Sequence, residues 1–132
     1  MKKKLNAKGA IHLDILKVQH HGSEHNLNHE FCKKVTADHY VFCGNGAHHN
    51  PDLDVIKTII ESRISQGPNR SITAEVGNEF KLWFNSSSAV TRSTYKEHMV
   101  SVEKLVKKIA SDHSQIKFQF MPPNTSKLEI DL

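Results

Sequence analysis

The chain has 132 residues, of which 37% are hydrophobic and 24% charged, with a formal net charge of +4. These values fit one modest domain with a real core, and no apolar run approaches the ~18–20 residues that span a bilayer. Residues 1–16, MKKKLNAKGAIHLDIL, lack the apolar stretch and cleavage site of a signal peptide, so the expected location is cytoplasmic.

Residues 1–10 read as a frayed lead-in, and 12–18 (HLDILKV) predicts a strand. A polar loop, 19–28, follows. A short helix is expected over 28–36, with Phe31, Cys32 and Val35 on one side and Asn28 as its cap. HYVFC (39–43) predicts a strand buried on both faces. The loop GNGAHHN (44–50) leads to Pro51 and Asp52, a good start for a helix. Val55, Ile56, Ile59, Ile60 and Ile64 continue that helix to about Ser65.

Residues 66–71 break the pattern. A weak strand is expected over 71–76 and a stronger one over 79–84, where Phe80, Leu82 and Phe84 alternate. NSSS (85–88) reads as a polar loop leading to a helix cap. Tyr95, Met99, Val102, Leu105, Val106 and Ile109 trace one face of a long helix ending near Asp112. QIKFQFM (115–121) predicts a half-buried strand, and KLEIDL (127–132) a hairpin partner after the turn at Pro122 and Pro123.

Ten histidines are the unusual count. His20 and His21 lie on the first loop and His48 and His49 on the second, each just past a predicted strand. Neutral imidazole is a common ligand for zinc, iron or manganese, and loops leaving adjacent strands can bring distant ligands together. A histidine pair is also an ordinary surface feature. Neighbouring residues of an extended chain point in opposite directions, so one of each pair would face a given point, and spacing alone does not select it. Gly22 permits close backbone approach, and the Ser23 hydroxyl can orient a neighbour. A hydrolytic dinuclear centre normally adds a bridging acid, for which Asp14 and Asp52 are poor candidates. His12, His29, His39, His98 and His113 show no partner spacing and read as surface or satisfied core. Cys32 and Cys43 form no C-x-x-C pair and read as buried thiols.

The segments LDILKVQHHGSEHN, EFCKKV and HYVFCGNGAHHNPDLDVI together resemble the later half of metallo-β-lactamase-fold hydrolases. The likeness is greatest to the branch that includes the competence-protein hydrolase domains. That branch carries L-K-V-x-H-H-G-S, a helix, a strand, an N-G turn and a histidine–proline helix start. The matching positions are Leu16, Lys17, Val18, His20, His21, Gly22 and Ser23, then Asn45, Gly46, His48 or His49, and Pro51. The match covers residues 12–64.

The resemblance implies an α/β fold: half of an αββα sandwich, with a mixed sheet flanked by helices, in one domain over residues 1–132. It implies metal ligands among His20, His21, His48 and His49, and catalytic roles for His21 and Ser23. The family's H-x-H-x-D-H and its G-D are absent from this sequence. A divalent metal, zinc or manganese, is therefore expected only in the complete fold, and weakly or not at all in this chain.

The expected function is that of a fragment of a metal-dependent hydrolase, inactive alone, acting in the complete protein on a phosphodiester or other ester. The expected partners are a missing amino-terminal half or a second copy in a homo-oligomer, and a phosphate-containing substrate; no membrane is involved. The alternative is a non-catalytic binding or assembly module that pairs through exposed strand edges. The basic excess, partly on Lys104, Lys107 and Lys108, permits contact with a polyanion without requiring it.

Overall fold

The computed structural model describes residues 9–18, 27–44, 46–47, 50–123 and 129–130. Four parallel strands, β1 (Ile11–Val18), β2 (Val35–Phe42), β3 (Phe80–Phe84) and β4 (Ile116–Gln119), pair in chain order. The connections carry α1 (His29–Lys34), α2 (Leu53–Ile64) and α3 (Lys96–Asp112), so the unit is strand–helix–strand repeated. All pairings among the described strands are parallel; the antiparallel partner expected over 127–132 lies mostly outside the described residues.

Side-chain alternation and the parallel register define two faces. On one face Val18 lies beside Phe42 and Phe42 beside Phe84; Tyr40 neighbours Leu82, and Phe80 neighbours Ile116. This row packs with Ile56, Ile59 and Ile60 of α2 and Val102 and Val106 of α3 into one buried cluster. Each large apolar side chain removed from water there contributes about 1.5–3 kcal/mol. The rings of Phe42 and Phe84 stack at 4.8 Å, and those of Phe84 and Phe120 at 4.4 Å.

The other face takes Ile15, Lys17, His39, Val41, Lys81, Trp83, Lys117 and Gln119, all outside that cluster, while Ala37 and Leu13 at its amino end join the cluster or pack against it. His39 and Val41 are half-buried where Tyr40 and Phe42 are buried, so β2 is not the doubly buried strand that its apolar run suggested.

Local chemistry sets most boundaries. Asn28 caps α1 by accepting from the Phe31 amide at 2.9 Å. That helix stops at Lys34, earlier than its pattern suggests, because Val35 is already extended and pairs with Ile11; β-branched Val35 and Thr36 favour the strand. Asp52 is the N-cap of α2, accepting from the amides of Asp54 and Val55. Pro51 therefore precedes the cap instead of occupying the first turn.

Residues 71–76 form turns and no strand. The carbonyls of Glu75 and Val76 serve Arg63, which is fully buried. Its guanidinium donates to the carbonyls of Ala37 (2.7 Å), Val76 (2.9 Å), Asn78 (3.1 Å) and Glu75 (3.2 Å), and to the Tyr40 hydroxyl (3.2 Å). It also sits 4.3 Å from the centre of the Phe80 ring. The segment is thus held by a side chain, and its backbone acceptors are used outside any ladder.

The predicted hairpin strand 127–132 lies mostly outside the described residues, and Glu129 and Ile130 carry no strand. No described helix is long and apolar enough to cross a membrane.

Candidate functional site: the carboxyl edge of the sheet

Parallel strands deliver all their carboxyl ends to one edge, the usual place for chemistry in such sheets. Val18, Phe42 and Phe84 end side by side in register. The loop after β2 is built around this edge. The Asn85 amide donates to the Phe42 carbonyl at 3.1 Å, and the Gly44 amide donates to Asn85 Oδ1 at 3.0 Å. Further along, the Gly46 amide donates to the Asn50 carbonyl at 2.7 Å and the Asn50 amide to the Ala47 carbonyl at 3.1 Å.

Gly46 has φ +96, and a Cβ there would meet the Tyr95 carbonyl at 2.5 Å. The loop thus seats against the start of α3 in a way only glycine permits. His98 of α3 completes the frame, its Nε2 lying 2.7 Å from the Pro51 carbonyl. A carbonyl only accepts, so Nε2 carries the proton.

The predicted site residues His20, His21, Ser23, His48 and His49 all lie outside the described residues. What the structure places is their flanks: Val18 before the first group, Ala47 and Asn50 around the second pair. Among the described residues no group of three or more histidine, cysteine or acidic side chains could hold a metal ion. Asp52, considered as a carboxylate ligand, is engaged as a helix cap. The described residues alone therefore do not form a zinc or manganese site.

Ser87 of the NSSS loop caps no helix. Its hydroxyl donates to the Met121 carbonyl at 2.8 Å and accepts from the Ala89 amide, tying the loop to the chain after β4. α3 starts without a side-chain cap, after a 3-10 turn at Ser93–Tyr95.

Several partnered groups escaped sequence reasoning. His12 lies between Thr36 (Nδ1 to Oγ1, 2.7 Å) and Asp38 (Nε2 to Oδ1, 2.8 Å), and Thr36 continues to Thr73 at 2.8 Å. Thr36 and Thr73 are buried, so this chain of bonds fastens β1, β2 and the 71–76 turns and presents no open nucleophile. His39 accepts from the Trp83 indole at 2.9 Å. The only sequence signal for these pairs is parity within strands: positions 12, 36 and 38 share a face once the β1–β2 register is known.

Burial pushes the Cys32 thiol up to about 12. It also raises the Tyr40 phenol, against the opposing pull of nearby Arg63. The Glu30 carboxyl is lowered by its hydrogen bond to Lys33 and then by that ammonium's charge. None of the three lies at the carboxyl edge. No protein-family model, curated protein or solved structure matches this chain.

Proposed function

We propose that this chain is the carboxyl-terminal portion of a metal-dependent hydrolase of the metallo-β-lactamase superfamily, acting in the complete protein on a phosphodiester or other ester. The supporting observation is the pairing of Val18 with Phe42. Two parallel neighbours end together, and the sequence puts His20 and His21 after one and His48 and His49 after the other. In this reading one histidine of each pair is a ligand, and His21 and Ser23 line the reacting centre. Those histidines would hold a zinc or manganese ion, which would make water more acidic near neutral pH. The chain's own contribution is positional: Asn85, Gly46 and His98 fix where the loop after β2 begins and ends.

Calorimetric titration with zinc tests the ligand assignment. The expected result is weak binding, reversed by dialysis and lost when His20, His21, His48 and His49 are all changed to alanine. Equal affinity in that variant would refute the assignment. The complete protein should hydrolyse bis(p-nitrophenyl) phosphate with manganese or zinc, and failure with every divalent metal would sink the hydrolase reading.

A second reading, an assembly module, draws on β1. It is eight residues long, stands at the margin of the described sheet, and leaves Ile15 38% exposed. Sedimentation should then show a dimer that Ile15→Lys dissociates; a monomer at high concentration removes this reading.

A further inference from the structure

We propose that the margin of the sheet at β3 and β4 binds a phosphodiester backbone, that of single-stranded nucleic acid. The proposal does not depend on the hydrolase reading, since it uses a different part of the molecule.

A groove of about 680 Å3 opens there, lined by Lys81 of β3, Ile116, Lys117 and Phe118 of β4, and Lys107 of α3. Its described lining holds three lysines against one carboxylate, Glu79, so it is a basic concavity. Lys81 and Lys117 are register partners and share one face. Ile116 and Phe118 supply an apolar floor from the opposite face of β4, which places the groove at the strand's edge.

The sheet face that Lys81 and Lys117 occupy extends the same chemistry. Alternation gives that face Lys17, His39, Lys81, Trp83 and Lys117, and among its described strand residues none is acidic. Asp14 and Asp38 fall on the other face. Lys81 Nζ rests 3.9 Å from the centre of the Trp83 ring. His39 is beside them, its Nδ1 fixed by the indole N–H.

Charge complementarity selects an anionic occupant. A basic groove lined by the half-buried Phe118 ring fits single-stranded nucleic acid, which needs cations along its backbone and a π surface for its bases. Trp83 is 8% exposed and lies under Lys81, so the bases meet Phe118 in the groove and the phosphates meet the lysines. A membrane surface fits less well, because the apolar groups line a concavity and do not protrude.

The test is fluorescence anisotropy with a labelled oligothymidylate of about 20 nucleotides, run across a salt series. Wild-type chain should bind at low salt. The Lys81→Glu/Lys117→Glu variant should bind about tenfold or more weakly, with a log–log salt slope shallower by roughly 1.4, two phosphate contacts at about 0.7 each. Lys107→Glu should lose about half of that in logarithmic units. Lys57→Glu, an exposed change on α2 away from the groove, should match wild type within about twofold. Trp83 is the single tryptophan and packs under Lys81, so its emission should change when Lys81 engages a phosphate.

Thermal melts by circular dichroism establish that the variants fold. Absence of binding at low salt overturns the proposal. So does a loss in Lys57→Glu equal to that in the double variant, which would mark a diffuse charge effect. Lysine-dependent binding to phosphatidylserine vesicles without binding to the oligonucleotide would replace nucleic acid by a lipid surface.

Discussion

At the amino end of the sheet, Arg63 alone satisfies five acceptors, and His12 joins Asp38 to a buried run of hydroxyls. At the carboxyl end the loop after β2 is held by separate bonds: Asn85 to Gly44, His98 to Pro51, and Asp52 to the first amides of α2. The amino end depends on one residue whose loss strands several partners together. The carboxyl end distributes its support, so each piece can change at small cost. That division suits an α/β domain, in which stability and ligand contacts lie at opposite ends of the strands.

The largest test of this contrast is Arg63→Leu. It keeps an apolar body but leaves the buried Ala37 carbonyl and the part-buried Glu75, Val76 and Asn78 carbonyls without this donor, and it should cost about 3 kcal/mol. Urea denaturation measures the loss; a cost below about 1 kcal/mol would show that the amino end does not depend on Arg63 as described.

Alkaline titration gives the next effect. The folded Cys32 thiol is raised from an ordinary 9.0 to about 12. Between those values the unfolded chain releases a proton that the folded chain retains. Stability is therefore whole below about pH 9 and falls by about 1.4 kcal/mol per pH unit as pH rises toward 12. The raised Tyr40 phenol acts in the same direction. Cys32→Ala should remove the thiol's share of the slope, and an unchanged slope would assign the alkaline loss elsewhere.

At the carboxyl end, Asn85→Ala and His98→Ala should each cost about 1 kcal/mol. Hydrogen exchange should speed up first at the Gly44 amide in the former. Exchange that accelerates uniformly over the sheet would mean the two ends are not separable. The smallest effect is expected at Val90, 40% exposed in the connection after β3. Val90→Ser should stay within about 0.5 kcal/mol of wild type by thermal melting.

Periodicity made much of this fold legible. Alternation of Phe80, Leu82 and Phe84 marked β3, and the spacing of Met99, Val102 and Val106 marked the buried face of α3. Asn28 announced its helix because a short polar side chain before an apolar helix face satisfies an otherwise orphaned amide. Arg63 was hidden by its charge, although position 63 continues the stripe of Ile56, Ile59 and Ile60. Its burial depends on carbonyls 12 to 26 residues away, which no local window contains. The 71–76 segment looks strand-like for the same reason, since β-like composition cannot show that Arg63 claims the carbonyls of Glu75 and Val76.

For the candidate site, the sequence supplied the histidine pairs His20, His21, His48 and His49, and the structure supplied the edge toward which their flanking residues lead. By itself the sequence determined the strands, the helices, the caps and the apolar faces, because each follows from side-chain spacing over a few residues. Tertiary structure alone decided that all three described pairings run parallel, that Arg63 is interior, and that three lysines gather at one margin. Those outcomes rest on contacts between residues distant in the chain, where register and burial choose among arrangements that local preference leaves equal.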